Sequence, residues 1–226
     1  MELHLFSTPG VDDIRYIVEA SRPFLEWKSS AIVGYLPLAS LYAEKWLAAT
    51  VKSFKGLARV EMIDAENMPL TEMEAILKRS SLIYIPGGNA FLLSHRLHIS
   101  GLMPSLKKRV QGGLPVMAFS AGTILCGPNI LTSKDMNSVE TAHFAGLNMT
   151  PFNFFVHYAQ DGYLRAIHDE WLAEYHVFHD NPVVILADGA YIKVEGRKTS
   201  LVRGEAWILR KGHEQELLEP GALTAP

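Results

Sequence analysis

Short apolar runs alternate with longer amphipathic stretches along the first half of the chain. In the longer stretches, apolar positions recur every three or four residues, which is the spacing of one face of a helix. The short runs are rich in apolar residues, and those at 81–86 and 114–120 are almost continuously apolar, as in strands that are buried on both faces of a sheet. We predict five such strands, at residues 3–7, 31–38, 58–64, 81–86 and 114–120. This alternation indicates βαβ units and therefore a three-layer α/β/α fold around a mostly parallel sheet.

The second half of the chain has a different pattern. A loop-rich segment at 126–155 leads to a predicted helix at 162–175, and four short β runs follow between residues 182 and 212. We expect these runs to extend the same sheet and to add an antiparallel hairpin at its edge. The sequence has no internal repeat and no linker rich in Pro, Gly or Ser, so one domain over 1–226 is predicted, with 218–226 as a loose tail.

Composition and charge narrow the class of protein. Of the 226 residues, 48% are hydrophobic and 20% are charged, as in an ordinary globular protein. The net charge of −3 gives no reason to expect a nucleic acid or an anionic membrane as partner. A single cysteine, Cys126, and the lack of a signal peptide or a long apolar segment favour a cytoplasmic enzyme or binding protein.

The first candidate for chemistry is Ser120, at the end of the fifth predicted strand. Ala118 lies two residues before it and Gly122 two residues after it. This spacing is close to the G-x-S-x-G nucleophile elbow, in which a sharp strand-to-helix turn exposes the serine hydroxyl. The alternative is that Ser120 only caps the next helix.

A glycine pair follows the fourth predicted strand, in the sequence IPGGNAF at 85–91. Its backbone amides are expected at the carboxyl edge of the sheet, where ligands bind in open α/β folds. The amides of Gly88 and Ala121 are therefore candidates for an oxyanion hole. The alternative is an ordinary turn in which Asn89 caps the following helix.

Among nine histidines, His157 is the candidate general base, because we expect it just past a strand end at the same edge of the sheet. The acid that orients it could be Asp188, at the end of a strong strand, or Asp135, in the loop after Ser120. The other histidines form no H-E-x-x-H pair, so neither a metal nor a cofactor is expected.

These motifs resemble, in order and nearly in spacing, the serine peptidase family that contains α-aspartyl dipeptidase (peptidase E) and, more distantly, cyanophycinase. The matching pieces include IPGGNAFLL, FSAGTILCGPNILTSKDM, NFFVHY and LADGAYIKV. The resemblance implies a fold similar to class I glutamine amidotransferases, with serine in place of their cysteine nucleophile. It also implies a small peptide substrate, and it leaves monomer and homodimer both open.

Position by position, the resemblance implies that Ser120 is the nucleophile, His157 the base, and the Gly88 and Ala121 amides the oxyanion hole. Asp188 takes the place of the family's glutamate. Asp135 matches an acidic residue that we expect to bind the free amine of the peptide, and Asn89 is a further predicted substrate contact.

The chain also departs from the family at three positions. Ala118 replaces a glycine, Leu131 replaces an arginine of the dipeptidases, and Asp188 replaces a glutamate. An arginine is the natural partner of an aspartyl side chain, so the loss at Leu131 leaves the substrate open, with Arg165 as a partial replacement. A non-catalytic binding protein, or a hydrolase of another amide or ester, is the alternative function.

Overall fold

The computed structural model describes residues 1–8 and 14–223. Its helices and strands follow one another in the order β1 (Glu2–Phe6), α1 (Arg15–Leu25), β2 (Ile32–Tyr35), α2 (Ala43–Ser53), β3 (Arg59–Met62), α3 (Leu70–Arg79), β4 (Leu82–Ile85), α4 (Ala90–Ile99), α5 (Leu102–Gln111), β5 (Val116–Phe119), α6 (Ala121–Leu125), β6 (Asn153–Tyr158), α7 (Gly162–Phe178), β7 (Val183–Ala187), β8 (Tyr191–Glu195), β9 (Lys198–Arg203), β10 (Ala206–Leu209), β11 (Glu216–Leu217) and β12 (Gly221–Leu223).

The larger sheet has eight strands in the order β12-β9-β8-β1-β5-β4-β2-β3. The five predicted strands, β1 to β5, form its parallel part, in the order β1-β5-β4-β2-β3. Side chains alternate between its two faces. In β4, for example, Ile83 and Ile85 pack into the core cluster that also contains residues of α3 to α6, whereas Leu82 and Tyr84 pack on the side of α1. The predicted α/β/α arrangement is confirmed.

The helical stretch between β4 and β5 is interrupted. Helices α4 and α5 are separated by Ser100 and Gly101, and Gly101 has a φ of 74°. A residue with a side chain rarely adopts that left-handed conformation, and glycine adopts it at little cost. The break lets the chain change direction between the two helices.

The second half of the chain differs from the prediction. Strands β8 and β9 do form an antiparallel hairpin on the edge of the large sheet beside β1. The other two predicted runs, β7 and β10, join β6 and β11 in a separate sheet of four strands, in the order β11-β10-β7-β6. Helix α7 covers one face of this smaller sheet through Leu172 and Tyr175. Its other face joins the main core cluster through residues such as Phe154 and Leu186.

The predicted loose tail is also corrected. Residues 221–223 form β12, which pairs antiparallel with β9 and so lengthens the large sheet. Residues 224–226 lie outside the described part of the chain. Among the described helices, none combines the length and the apolar character that a membrane span requires.

Candidate active site

Ser120 lies on a tight turn between β5 and α6. Its φ of 53° and ψ of −119° are unusual for a residue with a side chain and costly unless the surroundings impose them. Its backbone N–H donates to the carbonyl oxygens of Phe6 and Ser7 at 3.1 and 3.2 Å. A Cβ on Gly122 would lie 2.3 Å from the carbonyl oxygen of Ile85, so only glycine fits there. The turn has the geometry expected of a nucleophile elbow.

The capping alternative for Ser120 does not hold for its side chain. Ser120 occupies the N-cap position of α6, but its hydroxyl accepts no hydrogen bond from the helix. Instead, Ser120 Oγ lies 2.9 Å from Nε2 of His157. The Ala118 side chain before the turn is fully buried and is accommodated there.

His157 lies within β6, rather than just past a strand end as predicted. Its φ is 55°, and the pairing of β6 with β7 shifts register between Phe155 and Tyr158. A bulge of this kind changes the direction of a side chain. After the shift, Tyr158 pairs with Ala187, which precedes Asp188. The irregularity therefore brings the imidazole and the Asp188 carboxylate to the same place.

Asp188, not Asp135, contacts the histidine. Nδ1 of His157 lies 2.6 Å from Oδ1 of Asp188. Asp135 instead accepts hydrogen bonds at Oδ2 from the backbone N–H of Ala90, at 2.7 Å, and from the hydroxyl of Ser133, at 2.8 Å. Asp135 thus binds the N-terminus of α4, where a negative charge is favourable. With Nδ1–H donating to Asp188, Nε2 is the acceptor for the Ser120 hydroxyl.

The glycine turn packs directly against Ser120. A Cβ on Gly87 would lie 2.8 Å from the Cβ of Ser120. Gly88 has a φ of 137°, and a Cβ there would lie 2.3 Å from the carbonyl oxygen of Ala39. Within residues 1–8 and 14–223, the backbone N–H groups of Gly88 and Ala121 donate to no other group. Ala121 follows Ser120, and Gly88 follows the glycine that packs on Ser120, so both unused amides are candidates for an oxyanion hole.

The structure gives Asn89 the capping role that the sequence left as an alternative. Its Oδ1 accepts from the N–H of Leu92 at 3.0 Å, and its Nδ2 donates to the carbonyl oxygen of Met136 at 2.8 Å. Both ends of the amide are therefore engaged within the protein. A substrate contact at Asn89 would have to displace one of these bonds.

Arg165, the predicted replacement for the family's arginine, is engaged on α7. Its Nη1 donates to the carbonyl oxygen of Gln160 at 3.0 Å, its Nε lies 3.6 Å from Asp169, and its guanidinium lies over the ring of Tyr158. Leu131 packs against the cluster between α7 and the smaller sheet. Leu131 carries no charge, and the contacts of Arg165 are with Gln160, Asp169 and Tyr158 rather than with Ser120 or His157.

Lys134 is a cation that the sequence analysis missed. Its Nζ donates to the carbonyl oxygen of His157 at 3.0 Å and lies 5.0 Å from the centre of the Phe155 ring. Burial lowers the pKa of Lys134 to about 8, although the charges of Asp188 and Asp135 act in the opposite direction. Lys134 forms no ion pair with any residue that the structure describes. A lysine beside an aspartate in a loop is typical of a solvated charge, so the local sequence gives no sign of this burial.

The loop at 133–136, which carries Lys134, is bonded to both sides of the site. Met136 accepts from Asn89 and Asp135 accepts from Ala90, so one end of the loop is held by the start of α4. Lys134 donates to His157, so the other end is held by β6. The loop therefore connects the glycine turn to the histidine.

A serine on a strained strand-to-helix turn, hydrogen-bonded to a histidine that contacts a carboxylate, defines an α/β serine hydrolase. The model of peptidase family S51 matches residues 5–202 of the chain. The chain belongs to that family and is a serine-type peptidase.

Relatives agree with this assignment. Peptidase E from Streptomyces coelicolor is 30% identical over 217 residues, which cover 89% of this chain and 87% of that protein. A Drosophila melanogaster protein named "Probable alpha-aspartyl dipeptidase" is 32% identical over 160 residues, covering 68% of this chain and 67% of the relative. The crystal structure of a peptidase from an acI-B1 Actinobacterium has a TM-score of 0.73 at 16% identity, covering 99% of this chain and 96% of that one. That last similarity shows the fold.

Proposed function

We propose that the chain hydrolyses dipeptides or other short peptides through an acyl-enzyme formed on Ser120. The observation that carries the proposal is the continuous hydrogen-bonded chain from Ser120 Oγ to His157 Nε2, 2.9 Å, and from His157 Nδ1 to Asp188 Oδ1, 2.6 Å. The names of the relatives, peptidase E and alpha-aspartyl dipeptidase, support a small peptide as substrate.

In the proposed mechanism, His157 Nε2 takes the hydroxyl proton as Ser120 Oγ attacks the peptide carbonyl carbon. The negative charge on the carbonyl oxygen is stabilised by the N–H groups of Gly88 and Ala121. The imidazolium, stabilised by Asp188, then gives its proton to the leaving amine as the C–N bond breaks. A water molecule, deprotonated by the same imidazole, attacks the ester and releases the acid product.

Lys134 favours substrates that carry a negative charge. A half-buried ammonium without a carboxylate partner is unfavourable unless a ligand supplies the negative charge. Lys134 donates to the backbone carbonyl of His157, so it contacts the residue whose imidazole takes the serine proton. We therefore expect peptides that carry a carboxylate near the scissile bond to be hydrolysed faster than their neutral analogues.

The enzyme proposal is tested with a fluorophosphonate probe, which labels activated serines, and with a dipeptide library. We expect the probe to label Ser120 and the S120A variant to lose both labelling and turnover. Ser53→Ala is the control, because Ser53 is exposed on α2 and its hydroxyl only donates to the carbonyl oxygen of Ala49. An unlabelled wild-type protein without turnover on any dipeptide would contradict the proposal and favour a binding protein.

A further inference from the structure

The proposed catalytic groups come from two different sheets. Ser120 follows β5 of the large sheet, whereas His157 lies in β6 and Asp188 follows β7 of the smaller one. Catalysis by such groups requires their positions to be held within a fraction of an ångström. The two sheets must therefore be connected close to the site.

Ser7, the residue after β1, makes this connection. Its Oγ accepts a hydrogen bond from the backbone N–H of His157 at 2.9 Å and donates to the carbonyl oxygen of Leu186 at 3.3 Å. Its own carbonyl oxygen accepts from the N–H of Ser120 at 3.2 Å, and its N–H donates to the carbonyl oxygen of Ala190 at 3.0 Å. One residue is thus bonded to Ser120, to His157 and to both sides of the turn that carries Asp188.

Ser7 is also the partner of the two strained residues of the site. Ser120 and His157 have φ values of 53° and 55°, and neither is glycine. Such conformations persist only where surrounding bonds impose them. Ser7 accepts the backbone N–H of each of them. It is fully buried, so water cannot replace its hydroxyl easily if the side chain is removed.

We propose that Ser7 is a positioning residue, whose hydroxyl holds His157 within hydrogen-bonding reach of Ser120 without itself contacting the substrate. The proposal rests on the proposed function of Ser120. The backbone bonds of Ser7 do not depend on its side chain, so substitution of the side chain isolates the contacts to His157 and Leu186. Removal of the hydroxyl should therefore displace the imidazole of His157 and leave the turn at Ser120 unchanged.

The test compares the variants S7A and S21A. Ser21 is equally buried, and its hydroxyl donates to the carbonyl oxygen of Ile17 inside α1. Both variants lose one buried hydroxyl, so S21A shows the effect of that loss at a place where no contact to His157 is involved. We expect kcat and the rate of fluorophosphonate labelling to fall about tenfold to a hundredfold in S7A, with KM within about twofold of wild type, and to stay unchanged in S21A. Ser7→Cys, which keeps a weak donor and acceptor, should recover part of the loss.

A second readout does not require turnover. The proton on Nδ1 of His157, held by Asp188, should give a downfield NMR signal that is shifted or broadened in S7A and retained in S21A. Equal kcat in S7A and S21A, with an unchanged signal, would overturn the role of Ser7. If S7A does not fold, Ser7→Cys is compared with S21A in its place. A wild-type protein that is neither labelled nor active would instead contradict the proposed function.

Discussion

His157 and Asp188 share a hydrogen bond of 2.6 Å, although 66% of the Asp188 side chain is exposed to solvent. An exposed carboxylate interacts less strongly with an imidazolium than a buried one, because water screens the charge. In the proposed mechanism, we therefore expect Asp188 to act mainly by fixing the tautomer and the orientation of His157. Such a role depends on geometry, and the shorter aspartate side chain does reach Nδ1 of His157.

We predict that Asp188→Asn lowers kcat about a hundredfold to ten-thousandfold, because an amide in place of the carboxylate favours the wrong imidazole tautomer. KM should change little, since Asp188 contacts His157 rather than the substrate. Steady-state kinetics on a cleaved dipeptide measure both quantities. A kcat near that of wild type would show that another group orients the histidine.

Asp135→Asn is the matched variant, for which we predict a loss of stability rather than a large fall in kcat. Its carboxylate binds the N–H of Ala90 at the start of α4, so its replacement should cost about 0.5–1 kcal/mol of stability through the lost charge at the helix N-terminus. Denaturant unfolding measures this loss. A fall in kcat as large as that of Asp188→Asn, without a change in stability, would assign Asp135 a direct role in the chemistry.

For Lys134→Met we predict a more stable protein at pH 7. Burial lowers the pKa of Lys134 from 10.5 to about 8, so the charged form is disfavoured in the folded state. Between these values the unfolded chain binds more protons than the folded one, and wild-type stability therefore rises with pH. We expect the free energy of unfolding of the variant to exceed that of wild type by about 1–3 kcal/mol below pH 8, with the difference shrinking towards pH 10.5.

Denaturant unfolding at several pH values checks this prediction. Lys211→Met is the control, because Lys211 is exposed and pairs with Asp180 at the surface. Its stability should stay within about 0.5 kcal/mol of wild type at all pH values. A Lys134→Met variant that is less stable than wild type at pH 7 would show that the hydrogen bond to His157 outweighs the cost of burial.

Lys134 should also determine substrate preference. We predict that wild type cleaves a substrate with a carboxylate, such as aspartyl-leucine, faster than an analogue in which that carboxylate is an amide. The ratio of kcat/KM values should fall about tenfold to a hundredfold in Lys134→Met. Asparaginyl-leucine tests the side-chain carboxylate, and the C-terminal amide of aspartyl-leucine tests the terminal one. An unchanged ratio in both comparisons would exclude a carboxylate-binding role.

Gly88→Ala should remove activity and much of the stability. The new Cβ would lie 2.3 Å from the carbonyl oxygen of Ala39, and the φ of 137° is strained for alanine. We expect a loss of more than about 2 kcal/mol, together with loss of labelling at Ser120. Gly56→Ala is the control, since Gly56 also has a positive φ, of 80°, but no atom within 4 Å of the new Cβ. It should cost only about 1 kcal/mol and leave labelling intact.

The sequence predicted the parallel part of the fold because each of its elements has a local signal. Runs rich in apolar residues located β1 to β5, although β3 contains Arg59 and Glu61 and lies at the sheet edge. The residues around Ser120 and Gly88 stood where β5 and β4 end. The smaller sheet could not be predicted in the same way. The apolar run of β7 indicates a strand, but its pairing with β6 and β10 depends on distant parts of the chain.

The same distinction applies to the site. Ser120, His157 and Asp188 could be selected by residue type and by their position near strand ends. The burial of Lys134 and the bonds of Asn89 to Leu92 and Met136 depend on how the loop at 133–136 packs on the sheet. Ser7 has no motif at all, and only its four hydrogen bonds in three dimensions distinguish it from other buried serines.

The division of the site between two sheets has a consequence for protein engineering. A cut in the loop-rich segment between α6 and β6 would leave Ser120 and the glycine turn on one fragment, and His157 and Asp188 on the other. The fragments would still share an interface, because β8 of the second pairs with β1 of the first along five residues. Hydrolysis by the mixed fragments would then report directly on their association, as in a split-enzyme sensor.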